Sequence, residues 1–202
     1  VAAPSDDYLY SVSPSERPPN NPLNRPLTVV FCLPGNKFSN HFLQSWSELL
    51  CYCITHNIRP IISCKQSCNI YMVRSMCLGA DVMRGTKQKP FDGKLDYDFI
   101  MWIDSDQVFG VQQFCNLLRH NKDVVSGMYL MKGGNQFAVV ENWDEDFFIK
   151  NGYFEFLDKE KLGTWMKENH CGEPKLMSQN NGNPIYDYRE CEFPLIKASY
   201  TG

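Results

Sequence analysis

The chain opens its patterned region with a run of apolar, β-branched residues, "TVVFCL" from Thr28 to Leu33, that stops at Pro34-Gly35-Asn36. A continuous run of this kind predicts a strand buried on both faces of a parallel sheet, followed by a tight loop. Phe42, Leu43, Trp46, Leu49, Leu50, Cys53 and Ile54 then recur at spacings of three and four, which predicts an amphipathic helix with Ser39 or Asn40 as its cap. "IRPII" from Ile58 predicts a second strand, and Ile70, Val73, Met76, Cys77 and Ala80 a second helix. A basic, turn-rich connection, "RGTKQKPFDGK", leads into "LDYDFIMWIDSDQVF", an apolar strand that ends on two aspartates. A helix carried by Val111, Phe114, Leu117 and Leu118 follows, then a fourth strand in "DVVSGMYL". Strands alternating with helices predict an α/β fold with a mostly parallel central sheet flanked by helices.

Beyond Met131 the pattern changes to short aromatic-rich runs, "FAVVE", "DFFI" and "YFEF", which predict a small antiparallel extension. A further helix is expected at Asp158 to Asn169, then a Gly/Asn-rich loop around "SQNNGNP" and a short strand in "FPLIKASYTG". Before the first strand, Pro4, Pro14, Pro18, Pro19, Pro22 and Pro26 favour an extended arm over residues 1–26. Residues 27–202 are long enough for one sizeable core, so a single domain is the expectation.

Composition narrows the function classes. Lys and Arg number 20 and Asp and Glu 23, a net charge of −3, so the chain has no general basic surface for nucleic acid or an anionic membrane. No apolar run approaches the roughly 18 residues of a membrane span, and the first residues lack the pattern of a secretory signal. Nine cysteines lie mostly in apolar segments, which reads as reduced core thiols in a cytoplasmic setting. The rival reading is a zinc site from Cys51, Cys53, Cys64 and Cys68, although C-x-C and C-x3-C are not the usual C-x2-C spacing.

The chemistry-bearing feature is Asp104-Ser105-Asp106. In an extended segment, residues two apart point to one side, so both carboxylates are expected to converge at the carboxyl end of a parallel strand. Open α/β sheets bind ligands at that edge. Two buried carboxylates repel, and a hard divalent cation, Mn²⁺ or Mg²⁺, relieves the repulsion with phosphate oxygens and water completing its shell. The competing structural reading makes Asp106 the cap of the following helix.

The arrangement "DYDFIMWIDSDQVF", a helix, then "NKDVVSGMYLMKGG" resembles the nucleotide-sugar-binding half of GT-A fold glycosyltransferases, with Asp104-Ser105-Asp106 as their D-x-D. "FCLPGN" resembles their first strand and nucleotide-contacting loop, and "NIYMVRSMCLGAD" the helix whose arginine, here Arg74, lies near the donor. The resemblance covers roughly Thr28 to Lys132. It implies transfer of a sugar from a nucleoside-diphosphate donor, a UDP-sugar in the first instance, to a hydroxyl of a glycan or glycoprotein acceptor. It further implies Asp104 and Asp106 as metal ligands, and Pro34, Gly35, Asn36, Ser63, Arg74, Asp104, Ser105 and Lys132 as donor contacts. An inverting reaction needs a carboxylate base, for which Asp144, Glu145 and Asp146 are the candidates. Such transferases usually carry a third metal ligand beyond a segment like "ASYTG"; His170 is the available substitute. Two alternatives stand beside this reading. "FIMWIDSDQV" also fits the nucleophile strand of a haloacid-dehalogenase-like phosphohydrolase, although two strands precede it here and no downstream acidic pair follows. A noncatalytic nucleotide-sugar or glycan-binding module is the other, with Trp143, Phe147, Tyr153 and Phe154 as its exposed aromatics.

Overall fold

The computed structural model describes residues 25–168, 175–180, 183–187, 195 and 197–201; most of the expected Pro-rich arm and His170 lie outside them. The chain clusters into two compact units, Val1–Asn121 and Lys122–Gly202. Among the described residues no helix is long and apolar enough to cross a membrane.

The first unit is an open sheet of three parallel strands with helices on both faces. Strand β1 (Leu27–Pro34) is central, β2 (Ile58–Lys65) pairs on one side and β3 (Phe99–Trp102) on the other. Helix α1 (Asn40–Thr55) connects β1 to β2, α2 (Ile70–Cys77) lies between β2 and β3, and α3 (Val111–His120) follows β3. The local signals for these elements act as expected. Ser39 caps α1 by accepting the Phe42 N–H at 3.0 Å, and Pro60, which cannot donate to a ladder, sits on an edge strand.

Alternation along β1 explains why the whole strand is apolar. Val29, Phe31 and Leu33 face a core shared with Phe42, Leu49 and Cys53 of α1 and Phe114 and Leu118 of α3. Val30 and Cys32 face the opposite side, where they meet Cys77 of α2 with Ile100 and Trp102 of β3 beside it. Phe31 is fully buried, with its ring 5.2 Å from Trp46 and 5.8 Å from Phe114. Truncating such a side chain to alanine typically costs about 3–5 kcal/mol. Burial also pushes the Cys32 and Cys53 thiols up to about 12, which keeps them protonated core residues. Cys51, Cys64 and Cys68 are exposed while Cys53 is buried in the α1 face, so the zinc alternative is not assembled among the described residues.

The second unit departs from expectation in three places. "DVVSGMYL" forms no strand; only Leu130 makes an isolated bridge, to Phe137. "DFFI" is not extended but lies in helix α4 (Glu145–Asn151). Asp144 caps that helix, Glu145 and Asp146 occupy its first turn, and Gly152 closes it at φ 75°. These end signals outweigh the strand preference of its aromatics. "YFEF" is not a named strand, although Leu157 exchanges backbone bonds with Phe137 and Val139. The antiparallel character survives as β4 (Val139–Val140) paired with β7 (Tyr200–Thr201) and as the hairpin β5 (Lys175–Asn180) and β6 (Asn183–Asp187). Helix α5 (Lys159–Glu168) lies where a helix was expected.

At the amino-terminal edge of the three-stranded sheet, Asp98 locks β3 to β1. It accepts Thr28 N–H at 2.7 Å and two Arg25 N–H groups at 2.9 and 2.7 Å. Burial opposes ionisation of Asp98, but Arg25 and the Thr28 amide outweigh it and hold the carboxyl below the usual range. The lowered folded-state value means that Asp98 contributes stability above its unfolded pKa of about 4, lost as the pH falls through the lower folded value. Asp98→Ala leaves the buried Thr28 N–H unpaired and is expected to cost roughly 1–3 kcal/mol. Denaturant midpoints at pH 6.5 and at pH 3 check this: the variant is less stable than wild type at pH 6.5, and the gap narrows at pH 3.

Candidate functional site

The strand order β2-β1-β3 reverses direction at β1, because the chain moves first to one side of it and then to the other. Open α/β sheets bind ligands at the carboxyl edge beside such a point; in this sheet the two adjacent loops there lead to α1 and α3, which pack on the same face. Here the loops are those after β1 and β3. They meet closely: a Cβ on Gly35 would fall 2.8 Å from Ser105 Cβ and 2.9 Å from its Oγ.

Asp104, Ser105 and Asp106 stand in the β3 loop, though not in the extended form expected. β3 ends at Trp102, and the Gln107 N–H bonds to the Asp104 carbonyl at 3.1 Å, closing a turn over 104–107. The i, i+2 argument for converging carboxylates therefore fails, since it requires a continuing strand. Asp and Ser favour such turns through their short polar side chains. The burial argument for a cation is corrected as well: Asp106 is exposed and the Asp104 side chain retains 41% of its accessibility. The capping reading also falls away. Gly110 is the N-cap of α3, and its N–H is taken by the Gln113 side chain, so neither aspartate serves that helix.

Both carboxylates thus remain available. Among the described residues Asp106 has no hydrogen bond or ion pair, and Asp104 has one partner, Arg74, whose Nη2 lies 3.7 Å from Oδ2. Arg74 projects from α2 with its guanidinium carbon 5.9 Å from the centre of the Trp102 ring. Alternation explains the meeting, because Trp102 shares with Ile100 the face of β3 that packs toward α2. Trp102 was not singled out from the sequence, although its place two residues before Asp104 carried the signal. No third His, Cys, Asp or Glu stands with Asp104 and Asp106 among the described residues. Mn²⁺ and Mg²⁺ commonly take one or two carboxylates and complete their shell with phosphate and water, so the accessible oxygens of Asp104 or Asp106 suit such an ion without an all-protein cage.

The remaining expected donor contacts divide. Pro34 is buried, and the Gly35 N–H bonds to the Lys65 carbonyl at 2.9 Å, continuing the β1–β2 ladder. Of that loop Asn36 is left exposed, next to Lys37. Ser63 is engaged structurally: its hydroxyl donates to the Cys77 carbonyl at 2.7 Å and ties the end of α2 to β2. Lys132, Asp144, Glu145 and Asp146 belong to the second unit. Lys132 is exposed in a turn closed by Gly134 N–H to Met131 O at 2.8 Å. Asp144 accepts the Phe147 N–H at 2.8 Å as a helix cap, and Glu145 and Asp146 are solvated first-turn acids favoured by the helix dipole.

The contact between the two loops is directly testable. Gly35 has φ +146°, a conformation that side-chain-bearing residues rarely adopt, and the added methyl also strikes Ser105. Gly35→Ala is expected to cost about 1–3 kcal/mol. In a double-mutant cycle read by denaturant unfolding, Ser105→Gly recovers the clash but not the backbone strain. Full recovery, or none, contradicts this geometry.

No family model, curated protein or solved structure matches this chain.

Proposed function

We propose that the chain is a GT-A type glycosyltransferase that binds a nucleoside-diphosphate sugar, in the first instance a UDP-sugar, with Mn²⁺ or Mg²⁺, and transfers the sugar to a hydroxyl of a glycan or glycoprotein. The observation that carries this reading is the pair of accessible carboxylates, Asp104 and Asp106, on the loop that leaves β3 at the carboxyl edge beside β1. That edge combines oxygen donors for a hard cation with the positive charge of Arg74, and exposed Lys37 and Lys65 lie on the same carboxyl ends. A diphosphate needs both kinds of partner, since its oxygens pair with guanidinium and with a divalent ion. Asn36, exposed on the first loop, stands where a base or ribose could be met.

Asp104 and Asp106 would hold the cation, and Arg74 would pair with the diphosphate. Bound there, the cation supplies Lewis-acid stabilisation for the charge that grows on the departing diphosphate. Arg74 would add positive charge at the same edge.

Calorimetry with UDP in the presence and absence of Mn²⁺ tests the reading. Wild type is expected to bind UDP in a Mn²⁺-dependent manner, and Asp106→Ala to lose at least tenfold in that affinity, about 1.4 kcal/mol. Its unfolding midpoint should not move, because the side chain is exposed and unpaired. Unchanged affinity in the variant excludes the metal role. Slow nucleotide release from a UDP-sugar separates an enzyme from a binding module, and phosphate release from a simple phosphate ester points instead to a phosphohydrolase.

A further inference from the structure

Arg74 holds a position that is poor for stability and well suited to exchange. Its side chain is 49% accessible and that of Asp104 41%, so their ion pair is a weak, solvent-screened contact. At 3.7 Å the contact is also longer than the 2.7–2.9 Å of a charge-assisted hydrogen bond. The guanidinium carbon also lies 5.9 Å from the centre of the Trp102 ring, a distance at which a cation still gains from the ring face. Trp102 itself is anchored in the apolar cluster with Ile100, Cys32 and Cys77. Arg74 is therefore kept beside the carboxyl edge whether or not Asp104 engages it.

We propose that Arg74 is an exchangeable internal counter-ion of Asp104: it neutralises that carboxylate in the free protein, yields it to a divalent cation, and turns to the anionic ligand that arrives with the cation. The inference rests on the metal-diphosphate reading of this edge. Its consequence is a sign pattern that a simple phosphate contact does not produce. With no nucleotide present, Arg74 competes with the cation for Asp104, so its positive charge opposes cation binding. Once a diphosphate is present, the released guanidinium pairs with phosphate, so the same charge favours the ternary complex. Cation and nucleotide then bind cooperatively, and Arg74 is one source of the coupling. Trp102 acts as a positioning residue that keeps the guanidinium within reach of both partners.

The test measures Mn²⁺ affinity by electron paramagnetic resonance without nucleotide, and UDP affinity by calorimetry at saturating Mn²⁺, for wild type and Arg74→Gln. Arg74→Gln is expected to tighten Mn²⁺ binding in the absence of UDP by roughly two- to fivefold, the equivalent of losing a half-exposed ion pair. It is expected to weaken UDP binding in Mn²⁺ by roughly tenfold or more. Arg74→Lys, which keeps the charge but not the planar fork, falls between wild type and Arg74→Gln on the first measurement. If wild type binds Mn²⁺ but Arg74→Gln binds it equally or more weakly without UDP, the counter-ion role is overturned while the metal-diphosphate reading stands. If wild type binds no Mn²⁺ with or without UDP, both are overturned.

Discussion

Strand β1 is enclosed on four sides. It has a parallel neighbour on each edge and helices against each face, so every inward group from Thr28 to Pro34 is buried. A strand in that position has to be apolar throughout, and its chain has to leave by the carboxyl end. Because β3 lies directly beside it, the loops after β1 and β3 emerge next to each other at the carboxyl edge. The contact of Gly35 with Ser105 and the placement of Asp104 and Asp106 follow from that exit. Hydrophobic enclosure of one strand thus determines where charged chemistry is possible, and it does so with several kcal/mol per buried aromatic against about one for any ion pair at the rim.

The two edges of the sheet use the same residue types to different ends. At the amino edge Arg25 meets Asp98 in a bidentate pair at 2.7 and 2.9 Å, reinforced by the Thr28 amide. That carboxylate is committed, and its lowered pKa expresses the commitment as acid sensitivity. At the carboxyl edge Arg74 stands 3.7 Å from Asp104, half exposed, with Asp106 unpaired beside it. Geometry separates the committed pair at the amino edge from the loose one at the carboxyl edge. The loose pair stands at the edge where open α/β sheets bind ligands.

Much of the first unit was legible in the sequence because its elements are governed by periodicity and burial. The three- and four-residue spacing of Phe42, Trp46 and Leu49 and the unbroken run from Thr28 to Leu33 have few competing solutions. The second unit was less legible because its segments are short and their signals conflict. Phe147, Phe148 and Ile149 prefer strands, yet Asp144 as cap, acids in the first turn and Gly152 at the close make α4 a helix. At the site, the aspartates were legible as chemistry but not as geometry. The extended reading of Asp104 to Asp106 ignored how readily Asp and Ser form a turn, and the turn moved the aspartates from buried to accessible. Arg74 was visible through resemblance alone, and Trp102 only once the faces of β3 were assigned to particular helices.

The proposed function requires a divalent ion held by the carboxylates at the end of β3. Anomalous diffraction from crystals grown with Mn²⁺ and UDP measures this directly. The expected result is a manganese peak within about 2.5 Å of an Asp104 or Asp106 carboxylate oxygen and in contact with the diphosphate. A peak elsewhere, or a diphosphate bound at that edge by Arg74 and main-chain amides with no manganese, would contradict it.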